Sequence, residues 1–424
     1  MKKVFSIVCI LAVLVIAGCK SNNISKIKIR FMDFVFNKEE MKRMDSAIKE
    51  FNRLHPGIEV NVEYTPGGTV EKFFIETTAG VAPDVVCVND TSYPALVEGK
   101  TIISLDSLIK EDKDFDISDF YPSALRYGRV GKEKGQLYVM PALTGTIIMY
   151  YNKDMFDEAK LAYPKDGWTW EEFRDDCKKL TKDKNRDGKI DQYALSGWEL
   201  LAWYPMILQN GGHIISEDGK KCLLSEPKSI EALEFVKTLH TKDKVIVSTF
   251  EASGMTGMSY EAMMASGKVA MFCSDFSIYK TFSNINWDIV SLPEKKGGRK
   301  VFHGGCWGYA ISSQSKHQKE AWELIKHLVS KEVLRDWVRN SPFGLHARMS
   351  LKEEFFKIPF FKGKHVESYL YACNYPNYEF QIRKYNEVLS VMSEIRSVIT
   401  GMEPGDVKEV SIKVTKKLNT ILSQ

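Results

Sequence analysis

Three strand-like segments separated by two helical ones open the body of the chain, and this alternation constrains the fold more than any other feature. Ile27, Ile29 and Phe31 alternate with Lys28 and Arg30, the period of a strand with one buried face. Asn37 then stands three residues before Glu40, a capping-box-like spacing. Met41, Met44, Ile48, Phe51 and Leu54 follow at helical spacing until Pro56-Gly57. Ile58, Val60, Val62 and Tyr64 alternate again, and a helix is expected over about 70–78. Val85-Val86-Cys87-Val88 is a continuous apolar run, the pattern of a strand covered on both faces. A β-α-β-α-β order predicts an α/β layer fold.

The pattern continues downstream. Residues 147–151 read as a strand. Thr169 and Glu172 form a capping box ahead of Trp170, Phe173, Cys177 and Leu180 on one helical face. Ser225 and Pro227 open another helix, 269–273 and 289–292 read as short strands, and Ala321, Leu324, Ile325 and Leu328 mark a further helix. The tail from Glu387 to Leu422 reads as helical with a break at Gly401–Gly405.

At 424 residues, with 44% hydrophobic and 27% charged residues, the chain has the balance of a globular protein with a substantial core. Roughly 150 residues per domain gives two or three domains. The formal charge of +4 offers no electrostatic reason to expect a nucleic-acid partner. Mean hydropathy is −0.24, and beyond the N-terminus no run of about 18 apolar residues suggests a membrane span.

The first residues read as an address. Met1-Lys2-Lys3 is basic, and Val4–Ala17 is apolar apart from Ser6, too short for a helix to cross a bilayer. Ile16-Ala17-Gly18-Cys19 resembles the bacterial lipobox, which implies removal of residues 1–18 and lipid on Cys19. An ordinary secretory signal is the alternative. Residues 19–26 then form a polar tether. Cys87, Cys177, Cys222, Cys273, Cys306 and Cys373 remain beyond the tether, with no C-x-x-C, and are expected to be buried free thiols.

No catalytic motif is present: no G-x-S-x-G, H-E-x-x-H, Walker A or G-x-G-x-x-G. The pairs Glu171-Glu172 and Asp175-Asp176 lie early in a helix, where they complement its dipole. Residues 183–191 read D-K-N-R-D-G-K-I-D. Asp183, Asn185, Asp187, the Lys189 carbonyl and Asp191 match the first nine positions of an EF-hand loop, a pattern for Ca²⁺. Ala194 stands where the loop would have its bidentate Glu, and an Asx-rich turn without metal is the alternative.

Several segments resemble the carbohydrate-binding family of extracellular solute-binding proteins of bacterial ABC importers, which includes maltose-binding protein. They are Pro83-Asp84-Val85-Val86, Tyr138-Val139-Met140-Pro141, Tyr150-Tyr151-Asn152-Lys153-Asp154-Met155-Phe156, Trp168-Thr169-Trp170-Glu171-Glu172-Phe173, Gly267-Lys268-Val269-Ala270-Met271 and Ala321-Trp322-Glu323-Leu324, in the family's order. The resemblance implies a two-lobed periplasmic-binding-protein fold (type II), each lobe a mainly parallel sheet flanked by helices, with hinge crossovers. It implies lobe 1 at 27–143 and 273–333, lobe 2 at 144–272 and 334–424, and a sugar held between them. It also implies a monomer anchored in the cell envelope outside the cytoplasm, an ABC permease as partner, and no enzymatic activity. At family-matching places stand Phe34, Asp90, Thr144, Trp198, Glu199, Asp275, Phe276, Gly305, Trp307 and Arg348. Flat aromatic faces for sugar C–H surfaces and polar groups for hydroxyls are what such a site needs. A solute-binding protein for a non-sugar ligand and an extracellular carbohydrate-active enzyme are the alternatives.

Overall fold

A computed structural model describes residues 26–423 apart from 36, 68, 90, 131–134, 197–202, 217, 248–257, 276–281, 283, 341–343 and 376–383. The opening alternation is present as β1 (Ile27–Phe34), a helix (Lys38–Leu54), β2 (Ile58–Thr65), a helix (Thr69–Thr78) and β3 (Val85–Asn89). Asn37 caps the first helix by accepting the N–H groups of Glu39 and Glu40, as its spacing predicts. β1 pairs with β2 and β3 in parallel. The residues of β3 point alternately into two apolar clusters: Val85 and Cys87 into one, Val86 and Val88 into the other. Both faces of the strand are covered, so its sequence is unbroken by polar residues.

The larger sheet is completed by β4 (Met140–Thr146), β9 (Gly304–Ile311) and β10 (Leu345–His346), in the order β10-β4-β9-β3-β1-β2. The smaller has the order β6-β7-β5-β8, from β5 (Ile148–Asn152), β6 (Tyr193–Ser196), β7 (Val269–Ser274) and β8 (Trp287–Val290). The two-lobed α/β architecture is as expected, but the sheets are mixed rather than mainly parallel. β9 lies antiparallel between β3 and β4, and β5 is antiparallel to both its neighbours. Chain crossings cause this. A strand that returns from the other lobe enters from the opposite edge, whereas only βαβ units within one lobe enforce parallel pairing.

Only Ile147 separates β4 in one sheet from β5 in the other. The later expected boundaries need correction. β8, inside the range assigned to lobe 1, pairs with β5 of the smaller sheet. β10, inside the range assigned to lobe 2, pairs with β4 of the larger. Both are short edge strands, and a strand pattern does not say which sheet it joins. A separate apolar core surrounds the smaller sheet. It includes Val388, Met392 and Ile395 of the helix Tyr385–Ile399 and Val414 and Leu418 of the helix Val407–Leu422. These two helices flank the break expected at Gly401–Gly405.

All six cysteines from Cys87 to Cys373 are free and buried. Among the described residues no helix is long and apolar enough to cross a membrane.

Candidate ligand-binding site

Phe34 ends β1, and Trp307 lies in β9 opposite Asn89, the last residue of β3. The two rings stack with centroids 5.0 Å apart and planes 29° from parallel. They stand at the carboxyl ends of the parallel strands, where open α/β sheets place their ligands. A cavity of about 540 Å³ opens over them, within the usual size range for small-molecule sites.

One wall comes from the larger sheet and its helices: Thr69, Glu71 and Phe74, then Asn89, Thr91 and Ser92. Asn89 shapes this corner, its side-chain oxygen accepting the Ser92 N–H at 3.0 Å and the Thr91 hydroxyl at 3.1 Å. The other wall is the start of the helix Tyr385–Ile399: Lys384, Tyr385, Asn386 and Glu387. That helix buries its apolar face in the core of the smaller sheet, so the cavity lies between the two lobes. It combines stacked aromatic faces with amide, hydroxyl and carboxylate groups, which suits a ligand with apolar faces and a polar rim.

Of the residues named at family-matching places, Phe34 and Trp307 are brought together. Thr144 is buried and donates its hydroxyl to the Gly305 carbonyl at 3.2 Å, fastening β4 to β9. Gly305 pairs with Gly145 in the same ladder. Asp275 is exposed beyond the end of β7, and its main-chain oxygen accepts the Tyr150 hydroxyl at 3.0 Å. Arg348 needs correction as a ligand contact. It is 6% exposed, donates to the Val329 carbonyl at 2.6 Å and to Asp119 at 3.0 Å, and lies over the Phe120 ring at 4.3 Å. Burying the guanidinium demands this full set of partners, and they are all in its own lobe. Cys19, Asp90, Trp198, Glu199 and Phe276 lie outside the described residues.

Sequence reasoning missed the wall at 384–387 and the contribution of Thr69, Glu71 and Phe74. Val388 and Met392 at helical spacing mark a helix there, but nothing local says that its first turn faces the other lobe.

In the loop 183–191, Asp183 accepts the N–H groups of Asp187 and Gly188 at 3.2 and 2.9 Å. Asp191 accepts those of Lys184 and Asn185 at 2.7 and 3.2 Å. The Lys189 N–H goes to Asp187 at 2.8 Å. Gly188 has φ +87°, which closes the turn. Among the described residues no group of three His, Cys, Asp or Glu side chains is arranged to hold a metal; the carboxylates serve the loop's own N–H groups as an Asx-type network.

Residues 37–334 match the family model of the bacterial extracellular solute-binding proteins. The chain belongs to that family. Membership carries an extracytoplasmic location and a solute-binding role. An ABC substrate-binding protein of Listeria monocytogenes, solved in complex with cycloalternan, superposes with a TM-score of 0.76 at 23% identity, covering 94% of this chain and 99% of that one. The sugar-binding protein MalE of Xanthomonas citri gives 0.76 at 19% identity over 93% and 97%. These likenesses show the shared fold. The sn-glycerol-3-phosphate-binding periplasmic protein UgpB of Yersinia pestis is 24% identical over 327 residues, 70% of this chain and 69% of its own length.

Proposed function

We propose that this solute-binding protein is the lipid-anchored receptor of an ABC sugar importer, taking a sugar or oligosaccharide into the interlobe cavity and handing it to the permease. The observation that carries the reading is the Phe34–Trp307 stack in the wall of a cavity also lined by Asn89, Thr91, Ser92 and Asn386. An aromatic face covers the C–H surface of a pyranose, while amides and hydroxyls exchange hydrogen bonds with its rim. Contacts from both lobes make ligand affinity differ between open and closed forms, and only such a difference shifts that equilibrium. Closure then tells the permease that the receptor is loaded. Lipid on Cys19 keeps the protein at the membrane.

The test is a ligand screen. The purified mature protein is titrated with mono- and oligosaccharides, including maltotriose and cycloalternan, while melting temperature and heat of binding are read. A saturable shift with the sugar recovered intact supports the reading, and a changed sugar overturns it in favour of an enzyme. A second reading, a phosphorylated polyol as ligand, is favoured by the Yersinia relative's name; a shift with sn-glycerol 3-phosphate and none with any sugar would establish it. Mass spectrometry of the envelope-extracted protein tests for acyl chains on Cys19. Calcium in the loop 183–191 is a separate part of the proposal, carried by ligand spacing alone. It fails if chelator and added Ca²⁺ leave the melting temperature equal.

A further inference from the structure

Charge in the cavity separates the two ligand classes. Three charged side chains line it among the described residues: Glu71, Lys384 and Glu387. Lys384 directs one N–H of its ammonium to the carbonyl of Ile421 at 3.2 Å, and its single positive charge offsets only one of the two carboxylates. That carbonyl lies at the C-terminal end of the helix Val407–Leu422, where a cation complements the helix dipole. The two carboxylates are exposed, and they stand on opposite walls. Glu71 is in the first turn of the helix Thr69–Thr78, beside the larger sheet. Glu387 is in the first turn of the helix Tyr385–Ile399, rooted in the other lobe's core.

Both helices present their N-terminal residues to the cavity. A bare helix N-terminus carries unsatisfied N–H groups and partial positive charge, and attracts phosphate. Here each first turn already has its own carboxylate. A phosphate monoester, with a charge of roughly −1.5 to −2 at neutral pH, entering between them meets like charge from two sides. Uncharged hydroxyls meet acceptors. We infer that Glu71 and Glu387 exclude phosphate-bearing solutes from the cleft and so restrict it to uncharged polyhydroxy ligands. This rests on the sugar-receptor reading and states which side of the family's chemistry the cleft serves.

The experiment measures affinity by calorimetry for the saccharide panel and for sn-glycerol 3-phosphate, in the mature wild-type protein and in the E71Q/E387Q variant, at low salt. The wild type is expected to bind a saccharide and to reject the phosphate. In the variant, the ratio of saccharide to phosphate affinity should fall by about tenfold or more, the size of a like-charge repulsion at several ångströms in partly screened surroundings. The substitutions are at exposed positions, and an unchanged melting curve verifies folding; Glu71→Gln alone serves if the double variant melts early. A wild type that binds saccharide and phosphate equally overturns this inference and leaves the sugar reading standing. So does a variant whose ratio is unchanged. A wild type that binds the phosphate and no saccharide overturns both. A wild type that binds none of these probes overturns the sugar reading, and this inference with it.

Discussion

Two cavities share the Phe34–Trp307 stack and differ in nearly everything else. The larger, of about 540 Å³, mixes apolar residues with polar side chains drawn from both lobes. The smaller, of about 80 Å³, also touches Phe34, Cys87 and Trp307, but it is closed by Leu143, Leu328, Leu334, Trp337 and Tyr309 of one lobe. Its polar groups include Asp33, Glu40 and His346, each about 3% exposed. Burial pushes the Asp33 carboxyl up to about 7, although hydrogen bonds from Cys87 and the Phe34 N–H oppose the rise. Burial alone takes His346 down to about 3, and it lifts the Cys87 thiol well above its usual range. An aromatic platform needs one wet side for a ligand and one rigid side to hold its rings. The shifted carboxyl and imidazole of Asp33 and His346 line the smaller cavity and not the larger, and Cys87 touches both.

The largest break in that contrast comes from the rigid side. A Cβ on Gly308 would lie 2.3 Å from the Met140 carbonyl oxygen in the neighbouring strand. Backbone in a paired sheet cannot step aside, so Gly308→Ala should destabilise the protein by about 3 kcal/mol. The urea midpoint should fall, and ligand affinity should fall with it because Trp307 adjoins the displaced residue. Unchanged stability would show that the sheet yields more readily than its pairing implies.

Trp307→Ala should cost the ligand side most. Loss of the stacked ring is expected to weaken saccharide binding by about 2 kcal/mol, roughly thirtyfold, while Trp307→Phe keeps most of the affinity. Calorimetry on the two variants checks this. Equal affinity in both would remove the platform from the mechanism.

Asp33 offers a pH test of the rigid side alone. Its folded pKa is raised, so the protonated form is favoured in the native state and stability is greatest below the unfolded value near 4. Stability is then lost as pH rises to about 7, where the folded group ionises. Asp33→Asn keeps the shape without the charge. It should match the wild type at pH 4 and exceed it by about 2 kcal/mol at pH 8, allowing for relaxation around the charge. Denaturation curves at the two pH values decide. A gain at pH 4, or none at pH 8, would mean that the carboxyl is not forced neutral.

Local signals were legible and long-range ones were not. Asn37, Thr169 with Glu172, and the run 85–88 announce their caps and strand from neighbours a few residues away. Phe34 and Trp307 could be named from the chain, but their stacking depends on β9 pairing with a strand more than two hundred residues earlier. The same distance hides the first turn of the helix Tyr385–Ile399 as a cleft wall. Arg348 misled for a related reason. Resemblance alone places it at the ligand, and nothing nearby in sequence reveals that Asp119 buries it.

A site remote from both cavities sharpens the contrast with the smallest effect. Thr169 caps the helix Trp170–Leu180: its hydroxyl accepts the Glu172 N–H at 3.2 Å, and its own N–H donates to the Glu172 carboxylate at 2.7 Å. Trp170 and Phe173 of that helix belong to the core of the smaller sheet and line neither cavity. Thr169→Ala should therefore cost about 1 kcal/mol of stability. Saccharide affinity should stay within about twofold, since a folded population above 99% makes a 1 kcal/mol loss invisible to binding. If affinity dropped in proportion to stability, ligand capture would depend on the rigidity of the whole lobe rather than on the cleft residues. The Trp307 result would then need rereading as a folding effect.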